Sequence, residues 1–259
     1  MYLWLMGVLY SRMASFVLVH GGNVGGWCWR LVTPSLRYAG HEVYAPSLTG
    51  CGDRAHLLTP EVGLDTWIDD VTNLLFYEDL DNVVLVGHSD GGSVVTGVAD
   101  RVPERIAHVV YLDAWILRNG ESISGLWPEP VRSEAEAQLR ALGETWRSPG
   151  APVEAWVEMA RAEGWNEVVG RWAGLRHTPD PVKPVRDEIK LRGGEAVDKL
   201  PRTLIRCIRA PHVRDDLLRA RAVEGGWPVL ELDAGDLPML SAPQMLAEAL
   251  LRIAEPYGA

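Results

Sequence analysis

Apolar runs alternate with amphipathic segments over much of this chain. Patterns typical of buried strands occur at Ser15 to His20, Asn82 to His88 and Arg105 to Ala114. Between them, Leu64 to Tyr77 and Gly91 to Asp100 carry apolar residues at helical spacing. This alternation predicts an α/β fold with a mostly parallel central sheet, flanked by helices and connected by right-handed crossovers.

The alternation stops in the middle of the chain and returns near its end. From about residue 118 to residue 198 there are several prolines, five of the eleven tryptophans and helical stretches without an intervening strand, which predicts a helical insertion. Strand patterns resume at Arg202 to Cys207 and Trp227 to Ala234, and a last helix is predicted near Pro243 to Ile253. We therefore expect one domain over residues 14–259, preceded by an N-terminal extension of residues 1–13.

The composition narrows the class of ligand. A chain of 259 residues with 47% hydrophobic residues can bury the core of one α/β domain. Its formal net charge of -10, with acidic and basic residues interspersed, argues against partnership with nucleic acid or an anionic membrane. The first ten residues are apolar, but they are too few to span a bilayer and lack the features of a secretory signal. We expect a small-molecule substrate, and the sequence leaves open whether the protein forms a homodimer.

The cysteines bear on location and on cofactors. Cys28, Cys51 and Cys207 form an odd set without a Cys-x-x-Cys spacing, which favours reduced thiols in a cytoplasmic protein and no metal site. The Gly-x-Gly-x-x-Gly spacing of a dinucleotide site is absent as well. No cofactor is therefore expected.

The segment Gly87-His88-Ser89-Asp90-Gly91 has the Gly-x-Ser-x-Gly spacing of a nucleophile elbow. It lies directly after a predicted strand and directly before a predicted helix, which is the context such an elbow requires. In this turn the serine is strained and exposed, and glycines on either side leave room for it. Ser89 is therefore the candidate nucleophile.

An acyl-transfer site also needs backbone N–H groups that stabilise the developing oxyanion. The amide of Asp90, at the start of the helix after the elbow, is one candidate donor. The amide of Gly22, in the glycine-containing loop after the first strand, is the other. Glycines at that position allow the backbone to approach the reacting carbonyl closely.

The sequence resembles the small α/β-hydrolases that include plant hydroxynitrile lyases, salicylate-type methylesterases and actinobacterial esterases. The resemblance is carried by FVLVHGG, GGWCWRLVTPSLRYAGHEVYAP, GCGDRAHLL, VVLVGHSDGG and LDAGDLPMLSAPQMLAEALLRIA. It extends from Ser15 to the C-terminus and is loosest in the insertion. The resemblance implies an α/β-hydrolase fold in which residues of about 118–198 form a helical cap over the active site.

One position departs from the pattern of these relatives. Their loop after the last strand commonly reads Gly-His-x-Pro-Met, in which the histidine is the general base, whereas this chain reads Gly235-Asp236-Leu237-Pro238-Met239. A carboxylate is a weaker base than imidazole unless its surroundings raise its pKa. We expect Asp236 at the family's histidine position, in a non-standard triad.

Two further residues are candidates for this triad. Asp113 follows the strand after the elbow helix, where some of these relatives keep the triad acid. His212 follows the strand Arg202 to Cys207, where many of them place the acid, so His212 as base and Asp236 as its orienting partner is an alternative to Asp236 as base.

Candidate substrate contacts come from two regions. His20 and Asn23 lie in the predicted oxyanion loop, where His20 is also expected to shape the loop. Trp127, Trp156 and His177 lie in the insertion, where indole rings either line a pocket for an apolar or aromatic ligand or pack the cap's own core.

Three functions remain open at this stage. The first is hydrolysis of a small apolar or aromatic ester, thioester or lactone through Ser89. The second is a lyase, cyclase or decarboxylase reaction in which Asp236 is the acid or base. The third is an inactive homologue that binds a ligand without turning it over.

Overall fold

The computed structural model describes residues 14–209 and 214–257. The N-terminal extension of residues 1–13 and the candidate base His212 lie outside the described residues.

Six parallel strands form one sheet in the described part of the chain, and a separate two-stranded ribbon lies in the insertion. In chain order the strands are β1 Ser15–Val19, β2 Glu42–Tyr44, β3 Val83–His88, β4 Ile106–Leu112, β5 Arg147–Ser148, β6 Asp180–Pro181, β7 Arg202–Cys207 and β8 Val229–Leu232. The order across the large sheet is β2-β1-β3-β4-β7-β8. The predicted parallel α/β sheet is confirmed.

The α-helices pack on both faces of this sheet and form the insertion. In chain order they are α1 Thr33–Tyr38, α2 Leu64–Tyr77, α3 Gly91–Arg101, α4 Glu129–Ala141, α5 Val153–Ala162, α6 Glu167–Gly174, α7 Lys183–Arg186, α8 Glu195–Asp198, α9 Asp215–Glu224, α10 Pro238–Ser241 and α11 Pro243–Ala254. No helix among the described residues is both long enough and apolar enough to cross a membrane.

The central strands β1 and β3 are buried along their whole length, which explains why their sequences are continuous apolar runs. Hydrophobic cores lie on the two faces of the sheet, with Trp67 in one and Trp29 in the other. Because β1, β3 and β4 are parallel neighbours, the residues that follow them meet at one edge of the sheet. His20, Ser89 and Asp113 follow these three strands, and this edge therefore carries the candidate site.

The prediction that the insertion contains no strand is wrong. Arg147 and Ser148 pair antiparallel with Pro181 and Asp180, forming the short ribbon β5–β6. Two-residue strands leave no periodicity in a sequence, so pattern analysis cannot detect them. The ribbon lies against the loop after β1, where the Asn23 side chain donates a hydrogen bond to Ser148 Oγ (2.9 Å).

Helix α3 begins directly after the elbow, and Gly92 allows it to pack closely against the segment after β4 that contains Ala114 and Trp115. A Cβ at Gly92 would collide with the carbonyl oxygen of Trp115 and lie 2.8 Å from Ala114 Cβ. A Cβ at Gly97, in the same helix, would instead meet the Ile68 side chain, with Cγ1 at 2.8 Å. A side chain can shift more readily than a backbone carbonyl.

We therefore predict that Gly92→Ala lowers the free energy of unfolding by about 1–3 kcal/mol through overpacking. Helix propensity alone predicts the opposite sign, a gain of up to about 1 kcal/mol. Urea unfolding followed by tryptophan fluorescence measures the difference, and Gly97→Ala is the matched control, with a smaller loss expected. A Gly92→Ala protein as stable as the wild type would contradict this packing argument.

Candidate active site

Ser89 lies in the turn between β3 and α3 with a φ of +50°, a left-handed conformation that is uncommon for a residue with a side chain. The two glycines of the motif make this turn possible. A Cβ on Gly87 would lie 2.6 Å from the carbonyl oxygen of Gly91, and a Cβ on Gly91 would lie 2.7 Å from that of His20. The Gly-x-Ser-x-Gly spacing is therefore a steric requirement of this turn.

The loop after β1 is held against the elbow by His20, which is fully buried. Its Nε2 accepts a hydrogen bond from the amide of Leu48 (3.0 Å), and its Nδ1 lies 2.8 Å from the carbonyl oxygen of Gly21. Burial lowers the pKa of His20 to about 4, so the ring is neutral and both nitrogens are engaged. We predicted His20 as a substrate contact, but the structure gives it a role in shaping this loop.

Asp236 lies in the loop between β8 and α10, and two contacts fix it. Its backbone carbonyl lies 2.8 Å from His88 Nε2, which fastens the loop to the residue before Ser89. Its carboxylate, 31% exposed, pairs with Arg214 at 3.3 Å. Asp236, which we expect at the family's histidine position, is therefore an ion-paired carboxylate.

Asp113 is fully buried at the end of β4 and has a φ of +44°. Its amide donates a hydrogen bond to the carbonyl oxygen of Ile205 (2.8 Å), which ties it to β7. Its carboxyl group acts on the neighbouring Cys207 thiol, whose pKa is raised first by burial and then by the charge and hydrogen bond of Asp113.

Arg214 was not a candidate from the sequence, yet it links two of the candidates. Its side chain is 7% exposed, its Nε donates a hydrogen bond to the carbonyl oxygen of Asp113 (3.0 Å), and its other end pairs with Asp236. The guanidinium also lies 5.7 Å from the centre of the Trp115 ring. Arg214 lies directly before helix α9, and nothing in the sequence around such an arginine marks it as part of a site.

A cavity of about 420 Å³ opens beside the elbow, bounded by the loop after β1, the start of α3 and the insertion. Gly22 and Asp90, the predicted oxyanion-hole residues, are in its wall, as are the predicted substrate contacts Asn23 and Trp127. Ser89 is half-buried next to Asp90 and is not itself part of this wall.

Trp156 and His177 lie outside this wall, contrary to their prediction as substrate contacts. Their rings pack edge to face at 5.1 Å, and Trp156 belongs to the hydrophobic core with Ala173. His177 Nδ1 accepts a hydrogen bond from the amide of Ala151 (3.0 Å). Both residues therefore stabilise the insertion itself, which is the packing role weighed for the tryptophans above.

Asp180, in β6, is the second site residue that the sequence did not indicate. It is 5% exposed, lies in the cavity wall and accepts a hydrogen bond from the amide of Asn23. Burial raises the pKa of Asp180 to about 8, and the charge of Asp90 contributes to this rise. Burial likewise raises the pKa of Asp90 to about 6, with Arg214 opposing the change and Asp236 adding to it.

These carboxyl groups do not make a metal centre. In the part of the chain that the structure describes, no group of three or more histidine, cysteine, aspartate or glutamate residues could hold a metal ion. The site is built instead from a strained serine, backbone amides, carboxyl groups and one buried arginine.

The sequence is similar to those of known proteins over most of the chain. A sequence model of the alpha/beta hydrolase family matches residues 16–249. A carbendazim hydrolyzing esterase from Nocardioides sp. (strain SG-4G) is 36% identical over 240 residues, covering 92% of this chain and 98% of the relative. Putative methylesterase 14 of Arabidopsis thaliana, a chloroplastic protein, is 29% identical over 256 residues, covering 93% of this chain and 72% of the relative.

Solved structures give the same fold at lower identity. An extracellular alpha/beta-hydrolase from a Paenibacillus species has a TM-score of 0.78 and 22% identity, covering 92% of this chain and 98% of the other. Methylketone synthase I of tomato has a TM-score of 0.73 and 19% identity, covering 95% and 99%. At these identities the likeness concerns the fold alone.

The raised pKa of Asp180 predicts how stability depends on pH. An unfolded chain releases this proton near pH 4, whereas the folded protein retains it up to about pH 8. The contribution of the protonated group is thus fully present below pH 4 and is lost as the pH rises through about 8. We predict a melting temperature that falls over this range.

The same experiment on Asp180→Asn tests the assignment, because the amide cannot ionise. The variant is expected to lose much of the decrease in melting temperature above about pH 6, where about 1 kcal/mol corresponds to about 2–4 °C for a domain of this size. Asp187→Asn, at a half-buried carboxylate paired with Lys183, is the control and should keep the wild-type profile. Identical profiles for Asp180→Asn and the wild type would contradict the assignment.

Proposed function

The chain belongs to the alpha/beta hydrolase family, and on that premise we propose that it hydrolyses small apolar or aromatic esters with Ser89 as the nucleophile. The observation that carries this proposal is the strained elbow beside a cavity, with Ser89 at a φ of +50° and Gly22 and Asp90 in the cavity wall. Backbone strain of this kind persists where the surrounding structure holds it, and it is concentrated at functional sites. The esterases among the relatives support the same reaction class.

The proposed reaction has two steps. Ser89 Oγ attacks the ester carbonyl carbon while its proton passes to a general base, and the carbonyl oxygen becomes an oxyanion held by the amides of Gly22 and Asp90. Collapse of this intermediate breaks the bond to the alcohol oxygen, which takes the proton from the base. Water then attacks the acyl-enzyme by the same route, releasing the acid and restoring Ser89.

His212 is the proposed general base, with Asp236 as its orienting partner. Asp236 is poorly suited to act alone, because Arg214 already offsets its charge at 3.3 Å. Imidazole, with a pKa of about 6.5, is better matched to proton transfer near neutral pH.

The histidines in the described part of the chain support this choice by elimination. His20 and His108 have both ring nitrogens in hydrogen bonds, and His88 Nε2 contacts the Asp236 carbonyl. His41 packs on the ring of Phe16, and His177 accepts a hydrogen bond inside the insertion. His56, the remaining one, is exposed in the short 3-10 helix Gly52–Leu57.

The buried carboxyl groups favour one alternative. Asp90 and Asp180 have pKa values raised to about 6 and about 8, so one donates and the other accepts a proton over the neutral range. Such a pair suits acid–base chemistry without an acyl-enzyme, as in a lyase or decarboxylase. Turnover of a substrate by Ser89→Ala protein would favour this reading over ester hydrolysis.

We also propose a reducing, cytoplasmic location. Cys28, Cys51 and Cys207 are all free thiols buried in the core, and burial raises the pKa of each one, so they are inert packing groups. Fractionation of the source cells tests this location.

Labelling by a fluorophosphonate tests the nucleophile, and hydrolysis of nitrophenyl acetate tests the base. Ser89→Ala should abolish labelling, and His212→Ala should lower kcat by about 10⁴–10⁶-fold. Asp236→Asn, which would leave the base without its orienting charge, should lower kcat by up to about 10⁴-fold. His56→Ala is the control, with wild-type rates expected.

The results assign the roles separately. If Asp236→Asn abolishes hydrolysis while His212→Ala leaves it intact, Asp236 is the base and the assignment of His212 is wrong. If the wild-type protein is neither labelled nor active on simple esters, ester hydrolysis through Ser89 fails altogether.

Asp90 gives a second prediction about this reaction. Its Oδ2 lies 2.8 Å from the point that a Cβ on Gly22 would occupy, so its charge is close to the proposed oxyanion hole. Above pH 6 the ionised carboxylate opposes the developing negative charge. Asp90→Asn should therefore raise kcat/KM for a neutral ester by about tenfold above pH 7 and change it little below pH 6.

Glu136→Gln is the matched control for charge, because Glu136 is also in the cavity wall but pairs with Arg140 on α4. It should leave the pH profile unchanged. A decrease in kcat/KM for Asp90→Asn at every pH would show that the carboxylate assists the reaction of neutral esters, contrary to this argument.

A further inference from the structure

The carboxyl group of Asp180 is buried and incompletely hydrogen-bonded within the described part of the chain. Its Oδ2 accepts a hydrogen bond from the amide of Asn23, and the Cys51 thiol donates a further hydrogen bond to the carboxyl group. Its Oδ1 is buried, and no hydrogen-bond partner for it exists among the described residues. A buried carboxyl oxygen without a partner is costly, and a ligand that donates a hydrogen bond would remove that cost.

Asp180 lies at the cavity rather than in the hydrophobic cores of the domain. Asp180 is part of the wall of the 420 Å³ cavity and belongs to the β5–β6 ribbon of the insertion. The side chain is held in place from below by the loop after β1. It is therefore presented to the cavity by a fixed scaffold.

A second carboxyl group lies close to the first. Asp90 Oδ2 and Asp180 Oδ2 lie 2.8 Å and 3.7 Å from the same point, the position of a Cβ on Gly22. Each group thus flanks the proposed oxyanion loop, and the charge of Asp90 adds to the raised pKa of Asp180. A Cβ at position 22 would crowd Asp90 Oδ2, and the glycine avoids this contact.

The other charged groups around the cavity do not neutralise Asp180. Arg214 and Asp236 act on Asp90, from the side of the elbow. In the cavity wall, Arg132 is hydrogen-bonded to Glu129, and Arg186 donates to the carbonyl oxygen of Thr145. Neither arginine forms a salt bridge with Asp90 or Asp180 among the described residues.

The rest of the wall is suited to a flat apolar group. Trp67, Trp127, Leu139, Val182 and Val185 contribute its apolar part. Indole rings also attract cations over their faces. An aromatic ring with an attached cation would therefore meet both kinds of surface.

We propose that Asp90 and Asp180 together bind a basic nitrogen group, an amine, amidine or protonated N-heterocycle, on an aromatic or apolar substrate. This inference rests on the proposed function in that it names a substrate class for the same cavity. Binding of the cation displaces the proton that the pair holds, and the ligand's N–H groups donate hydrogen bonds to the carboxyl groups of Asp180 and Asp90. Cationic esters are then better substrates than neutral esters of the same shape.

The test compares benzamidine with the neutral, similarly shaped benzamide by titration of tryptophan fluorescence on the wild-type protein. Above pH 8, where both carboxyl groups are ionised, benzamidine should bind at least about tenfold more tightly than benzamide. Near pH 6 the pair keeps a proton, and this preference should decrease. Asp180→Asn should remove most of the preference, and Asp90→Asn should reduce it.

Asp81→Asn, at an exposed carboxylate outside the cavity wall that pairs with Arg105, is the control variant and should keep the full preference for benzamidine. Far-UV circular dichroism and thermal melting establish that Asp180→Asn is folded, and Asp90→Asn gives an independent result if it is not. Equal binding of the two probes, no saturable binding of benzamidine, or a preference that survives both substitutions would overturn the inference.

The outcome is separable from that of the proposed function, because neither probe is an ester and binding does not require Ser89. If the protein prefers benzamidine but is not labelled by Ser89-directed reagents, the cation-binding proposal stands and the esterase proposal is wrong. Labelling of Ser89 without any preference for benzamidine would do the reverse.

Discussion

The left-handed turn at Ser89 is the constraint around which the rest of the site is arranged. A residue with a side chain rarely adopts a φ of +50°, and the backbone packs closely around this turn at Gly21, Gly87 and Gly91. Gly21 is the one of these that approaches the serine directly, since its Cβ would lie 2.7 Å from Ser89 Cβ. The loop after β1 therefore has no room for a side chain at Gly21. His20, buried below with both nitrogens engaged, fixes the other side of that loop.

The electrostatics of the site follow from this crowded geometry. Asp90, next to Ser89 in the chain, must point its side chain toward Gly22, and the ribbon of the insertion brings Asp180 to the same place. Arg214 pairs with Asp236 and lowers the pKa of Asp90, but it is not among the groups that shift the pKa of Asp180. Arg214 therefore acts on the carboxyl groups of the elbow side, while Asp180 on the cavity side keeps its proton up to about pH 8. An asymmetry of this kind selects among ligands by charge as well as by shape.

Local motifs accounted for the parts of the fold and site that depend on neighbouring residues. Helix α2 spans Leu64–Tyr77, the same bounds as its amphipathic pattern, and β7 spans Arg202–Cys207, as its apolar run predicts. The elbow was found because strand, turn and helix are contiguous there.

Arg214 and Asp180 could not be found in this way, because each acts on the site through contacts between segments far apart in the chain. Asp180 contacts Asn23 across the ribbon, and Arg214 contacts Asp113 across two strands. The insertion misled for a related reason. Its tryptophans are equally compatible with a pocket and with a core. In the structure Trp127 lines the cavity, whereas Trp156 packs in the core.

Asp90, directly after the serine, places negative charge next to a reaction that develops negative charge, which for a neutral ester opposes catalysis. For a substrate carrying a basic nitrogen the sign of this electrostatic effect reverses, because the carboxylate attracts the cation. Asp180 keeps its raised pKa and so remains uncharged until a cation replaces its proton. Under the proposal above, a site with these charges favours cationic over neutral esters.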